Sequence, residues 1–232
     1  MSLTLVHANK NYSSWSMRPY LLMKALGIPF ESAQVWLGEP DTDAQIRRHS
    51  PSGRVPCLID SDPPGPGGPI TIWDSLAIVE YLAERFRQAG VWPAQPRDPA
   101  LAPSACAEMH ANLMGLRSAM PMNIRARFPG QGRTADALAD IARVQALWIE
   151  LRAQKAAQSG PFLFGAFSAA DAFFAPVAFR FQTYGVTLEG PAATYQQALL
   201  AHPALVELQR EAAEEGHPMA RYDSLFQAGP VR

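Results

Sequence analysis

Apolar residues recur along this chain with two different periods, and the point where one replaces the other divides it. "LTLVHA" (3–8) is a short apolar run that reads as a strand. In "SWSMRPYLLMKALG" (14–27), Met17, Leu21, Lys24 and Ala25 fall at helical steps, Leu22 and Leu26 widen the apolar face, and Gly27 ends the helix. Pro19 falls in the first turn on this reading, where no backbone donor is lost. "PFESAQVWL" (29–37) alternates sides as a second strand, and the polar "DTDAQIRRHSP" (41–51) makes a short or irregular helix. "VPCLID" and "PITIW" are two further strands around the exposed loop "SDPPGPGG", whose prolines and glycines mark a turn. "DSLAIVEYLAERF" then spaces Leu76, Val79, Leu82 and Phe86 as a helix.

The order over residues 1–86 is therefore β, α, β, α, β, β, α. The Pro- and Gly-rich stretch over 87–99 reads as a linker. From about residue 100 to 232 the period is helical throughout, interrupted at "RFPGQGR", "QSGPFLFGAF", "TYGVTLEGP" and "AHPAL". An α/β domain followed by an all-α domain is the expected architecture, and a chain of 232 residues suffices for both.

Charge narrows the partners. Twenty basic and 21 acidic residues are scattered to a net −1, which supplies no positive field for nucleic acid or an anionic membrane, so the expected partner is a small molecule or another protein. No apolar run is long enough to span a bilayer and the N-terminus lacks the zones of a signal peptide, so a cytoplasmic location is expected. Cys57 and Cys106 form no CxxC pair and read as reduced core residues. The five histidines show no metal-ligand spacing, and no metal is expected.

Three motifs carry chemistry. "RVPCL" puts Val55 and Pro56 at the start of a strand, an ordinary strand start when taken alone. "WDSLAIVEYL" opens a helix with Asp74 and Ser75; a capping serine there leaves first-turn amides free to hold an anion. "FSAADAFFAPVAFRF" places Ser168 and Asp171 three residues apart as a capping box, a folding device.

Together with the element order, these motifs resemble the glutathione transferases over nearly the whole chain. The resemblance implies a thioredoxin-like N-terminal domain and a helical-bundle C-terminal domain. It further implies a cis bond before Pro56, with the Val55 backbone offered to the cysteinyl part of glutathione. Ser75 would hold the γ-glutamyl carboxylate as the helix cap, and Asp74 would face the γ-glutamyl amino group. Arg54 would meet the glycine carboxylate, or stand as a solvated surface arginine. In serine-type members a hydroxyl between the first strand and first helix donates to the glutathione sulfur. Counting back from "LGIPF" puts Ser13 of "NYSSWSMRP" at that position, with Ser14 the alternative, Tyr12 a lesser one, and Ser16 in the first turn.

Trp15 stands where zeta-class isomerases of maleylacetoacetate carry a cysteine, and the cysteine of omega-like members is absent, so a serine-type bacterial branch, theta- or zeta-like, resembles this chain best. The implied protein is a dimeric detoxifying enzyme. It activates the thiol of glutathione, its cosubstrate, for attack on a small electrophile or for reduction of a peroxide. A glutathione-dependent isomerase and a non-catalytic glutathione-binding module are the alternatives. The electrophile pocket should form between the domains. "EMHANLMGLRSAMPMNIRARF" offers Met109, Leu113, Leu116 and Met120 at helical steps, as core or as pocket lining, while Arg117 and Arg125 are candidates for recognising an acidic substrate.

Overall fold

A computed structural model describes residues 2–93 and 100–226. β1 (Leu3–His7) lies inside the sheet because Leu3, Leu5 and Val6 need cover on both faces, and all three are buried. The order is β2-β1-β3-β4, with β2 (Glu31–Gln34), β3 (Cys57–Asp60) and β4 (Ile70–Ile72). β1 runs parallel to β2 and antiparallel to β3, pairing Leu5 with Leu58 and Val6 with Cys57. A parallel pair needs a crossover, supplied by α1 (Ser14–Ala25). That helix ends as its sequence directs: Gly27 adopts φ +65°, its amide donates to Lys24 O, and the Ile28 amide donates to Met23 O. α2 (Thr42–Arg47) and α3 (Ser75–Arg85) complete the α/β layer.

Two details of this half differ from the sequence reading. β2 covers only the middle of "PFESAQVWL" and sits at an edge, where alternation is weakly enforced. Pro19 is the sixth residue of α1, not a first-turn residue, because Ser13 caps the helix and starts it at Ser14; the Trp15 carbonyl therefore loses the amide four residues on.

The second half is helical: α4 (Leu101–Ala111), α5 (Met114–Ala119), α6 (Ala135–Arg152), a 3-10 turn at Lys155–Ser159, α7 (Ala169–Tyr184), α8 (Gly190–Leu200), α9 (Pro203–Glu214) and α10 (Ala220–Asp223). The Met109-to-Met120 stripe is not one helix. The chain breaks at Asn112 and Leu113, where Leu113 takes φ +63°, and Arg117 Nε and Nη2 donate to the Asn112 and Met109 carbonyls that end α4. Residues 94–99, the last six of the expected linker, lie outside the described residues. Before them, Val91 is buried and its carbonyl accepts the Ala169 amide at 2.9 Å.

α7 is buried nearly all round, as its apolar sequence requires, with Trp148 of α6 packed edge-on against Phe174. It starts with the anticipated box: Asp171 Oδ2 accepts from Ser168 N (2.9 Å) and Ser168 Oγ (3.1 Å). Asp171 also accepts the Leu163 amide at 3.1 Å and is wholly buried, so it ties the 160s loop to the helix as well as capping it. One apolar cluster runs from Leu5, Leu21 and Leu22 through Leu82 to Phe173 and Leu205, so α1 and α7 share a core. Cys57 and Cys106 are free and buried within the cores. Among the described residues, no helix is long and apolar enough to cross a membrane.

Candidate functional site

β1 delivers the chain into a tight turn at Asn9, whose carbonyl accepts the Ser13 amide, and α1 begins at once. Three serines result on two sides of one helix start. Ser13 is the cap: its Oγ accepts the Ser16 amide at 3.4 Å and donates to Ser16 Oγ at 2.9 Å, while Ser16 Oγ accepts the Ala8 amide. Ser14 differs. Its Oγ accepts from Arg180 Nη2 of α7 at 3.3 Å, which leaves the Ser14 proton free to be donated elsewhere.

Both serines border a cavity of about 250 Å³ at the joint between the two halves of the chain. Trp15, Arg117 and Arg180 line it on one side, and Tyr12, Leu37, Pro121, Met122 and Tyr222 complete it. Arg180 is fixed by the Met120 and Pro176 carbonyls. Burial, with the charge of Arg117 added, lowers its pKa to about 9, so it remains cationic at neutral pH. Burial lowers the Arg117 pKa too. Among the described residues, neither guanidinium has an ion-pair partner and no acidic side chain lines the cavity. The first turn of α1 likewise holds no acidic residue. Helix dipole and arginines therefore place a positive field at one point.

Arg18 links Trp15 to the start of α3. Arg18, fully buried, packs its guanidinium 4.1 Å from the Trp15 ring and donates from Nη1 to Ser75 Oγ (3.1 Å) and to His110 Nδ1 (3.0 Å). Its Nε and Nη2 have no hydrogen-bond partner among the described residues. Arginine only donates, so His110 Nδ1 is unprotonated and the ring presents Nε2 to Asp74 Oδ2, 3.7 Å away; burial lowers its pKa. The cap of α3 is not the expected Ser75. Asp74 is the cap, accepting the Leu76 amide at 2.8 Å, and Ser75 is the first helical residue, its hydroxyl already held by Arg18. The Ser75 and Ala77 amides remain first-turn donors. The Val55–Pro56 bond is cis, as is Trp73–Asp74. Continuing the β1–β3 register sets Val55 across from Ala8, at the base of the serine turn. Arg54 is exposed, and among the described residues its backbone amide alone is engaged, by Ser52 Oγ.

Other expected residues have structural duties. Met109 and Leu113 are core side chains and neither borders the cavity, because the break at Leu113 turns them inward. Tyr12 gives its proton to Asp223 (2.7 Å to Oδ2) and accepts from Arg125 Nη2 (2.7 Å), which removes it as a free donor. Arg125 is spent on Tyr12 and the Glu215 carbonyl. Glu215 in turn accepts the Lys10 and Asn11 amides, so the segment after α9 straps over the serine turn and brings Tyr222 to the cavity. Sequence reasoning missed this strap, Arg18 and Arg180. The last two had a signal, a single charged residue inside an apolar helical face.

Residues 12–85 match the family model described as glutathione S-transferase, N-terminal domain. The chain is 36% identical over 72 residues to a dichloromethane dehalogenase of Methylorubrum extorquens, covering 30% of this chain and 23% of that protein. It is 29% identical over 110 residues to glutathione S-transferase 1 of Dianthus caryophyllus, 47% of this chain and 46% of that one. The chain thus spans less than half the length of these curated relatives. Among solved structures, a Burkholderia glutathione transferase homologue with bound glutathione superposes with a TM-score of 0.65 at 22% identity, covering 92% of this chain and 99% of that one. Glutathione transferase Omega 1C of Trametes versicolor gives 0.66 at 19% identity, covering 91% and 92%. These two share the fold.

Proposed function

On the premise that this chain belongs to the glutathione S-transferase superfamily, to whose N-terminal domain residues 12–85 match, we propose that it activates the thiol of glutathione for attack on a small electrophile. The observation that carries the reading is the open start of α1, with a serine proton unused, Arg180 behind it and a cavity in front. A thiol with an ordinary pKa of about 8.5 is mostly protonated at neutral pH. A hydroxyl donor, a helix N-terminus and a buried guanidinium all favour the thiolate, which is the nucleophile.

Ser14 is the donor in this reading and Ser13 the cap that shapes its turn. What supports that order is that the Ser13 proton goes to Ser16, whereas Ser14 Oγ receives a hydrogen bond from Arg180 and keeps its own proton. The γ-glutamyl carboxylate is held by the first-turn amides of α3, with Arg18 beneath adding positive charge, and Asp74 faces the amino group. The Val55 backbone receives the cysteinyl unit. Arg54, exposed and with its guanidinium unengaged, is available to the glycine carboxylate.

The test titrates the thiol of protein-bound glutathione by thiolate absorbance and follows conjugation. Ser14→Ala should keep glutathione binding, raise the apparent thiol pKa and cut kcat/KM about 100-fold, the usual loss for one preorganised donor. A silent Ser14→Ala with a large loss in Ser13→Ala returns the role to Ser13, and two silent variants overturn serine activation. Peroxide reduction would use the same thiolate and should fall in parallel.

A further inference from the structure

The cavity in front of Ser14 is charged in a way that thiol activation does not require. Arg180 already touches Ser14 and lies wholly inside the protein. Arg117 is a second guanidinium on the same wall, half-buried, and its placement is fixed. Nε and Nη2 are held by the carbonyls that end α4, its Cζ lies 5.2 Å from the Trp15 ring centroid, and Nη1 has no acceptor among the described residues. A guanidinium anchored at two of its nitrogens loses little entropy when the remaining edge takes a ligand. Asp140, held by the Leu116 amide, is the carboxylate that acts on Arg117 from outside the cavity, and with no carboxylate in the lining the two arginines still present positive charge to an incoming anion. The rest of the lining, Leu37, Pro121, Met122 and the tyrosine rings, suits an apolar body of modest size.

We propose that the second substrate is an electrophile bearing a carboxylate, which Arg117 binds through its unengaged edge while Trp15 and the apolar wall hold the reactive carbon towards the thiolate. This rests on the transferase reading for its chemistry but not for its binding. For an aryl chloride the balance is simple: the glutathione sulfur bonds to the ring carbon, chloride leaves with the carbon–chlorine electron pair, and the thiol proton passes to solvent.

The test uses two electrophiles of one shape, 4-chloro-3-nitrobenzoate and 4-chloro-3-nitrobenzamide, with each enzymatic rate divided by its spontaneous rate with glutathione. The wild-type protein should prefer the benzoate, and Arg117→Gln should reduce that preference about 10- to 100-fold, the range for a lost charged hydrogen bond. Arg117→Lys should fall between. Because Arg117 also closes α4, the ratio within one variant is the readout, and a partly unfolded sample leaves it unchanged. Equal use of the two compounds, or a preference that survives Arg117→Gln, overturns the proposal. Calorimetry of the same pair without glutathione separates the two readings. Benzoate-selective binding lost in Arg117→Gln, with no turnover, upholds the anion site and sinks the transferase; unselective binding beside good turnover does the reverse.

Discussion

α1 and α7 both begin on a buried serine cap, and only one of them is closed. At α7 the third helical residue is Asp171, whose carboxylate returns to Ser168, so the helix start meets its own negative charge. At α1 the corresponding residue is Ser16, which supplies a hydroxyl but no charge; its oxygen takes the Ala8 amide and the Ser13 proton. The first turn of α1 carries no acidic residue of its own, the nearby Glu215 and Asp223 carboxylates are taken up by the Lys10 and Asn11 amides and by Tyr12, and Arg180, rising from α7 itself, adds positive charge beside Ser14. One helix start is spent on folding and the other is left for a ligand. A single side chain at the third position separates them.

The largest effect that could break this contrast is on stability. Asp171→Ala leaves the Leu163 and Ser168 amides and the Ser168 hydroxyl without an acceptor inside the core, which is more than a lost cap. The expected loss is about 4 kcal/mol in urea unfolding, with activity per folded molecule retained. A loss below about 1 kcal/mol, the value of a cap alone, would show that the box is not a core element.

A second, smaller test uses pH. Burial pushes the Asp171 pKa up from 3.8 to about 6, against the hydrogen bonds that hold it down. The folded state then binds a proton that the unfolded state has released over the window from about pH 4 to 6, so this group's contribution falls as pH rises through that window and is flat above it. Set against Asp171→Asn, whose amide does not titrate, the wild-type protein should lose about 3 kcal/mol of relative stability between those limits. A difference that does not vary with pH would mean the carboxylate titrates normally. At α1 the equivalent position carries a serine, and no such window is expected from it.

How much of this could be read beforehand follows from what each feature depends on. The strand and helix order, the Gly27 stop and the Ser168–Asp171 box are local, set by periodicity and by residues within one turn of each other, whereas the cis bond before Pro56 is what the family resemblance implies. The serine turn was located by counting along the chain, but which hydroxyl is free depends on Arg180, 166 residues away, and on the direction of a proton. That Asp74 and not Ser75 caps α3 goes with the hold of Arg18 on the Ser75 hydroxyl, and the strap from Glu215 to Asp223 depends on long-range pairing with Asn11 and Tyr12. Met109 and Leu113 looked available because the helical period continued; one left-handed residue at Leu113 redirected them.

The smallest change sharpens the contrast most, because it makes α1 resemble α7. Ser13→Ala removes a cap and should cost about 1 kcal/mol in unfolding, with the thiol chemistry largely kept if Ser14 is the donor. Ser13→Asp restores the cap, since an aspartate oxygen accepts the same Ser16 amide, and should recover most of that stability. It also places a carboxylate at the helix start where a thiolate is to form, and like charge there disfavours ionisation. The apparent pKa of bound glutathione should therefore rise in Ser13→Asp and stay near wild type in Ser13→Ala, although the aspartate variant is the more stable of the two. If both variants leave the thiol pKa unchanged, the open charge at α1 is not what glutathione uses, and the difference between the two helices is one of folding alone.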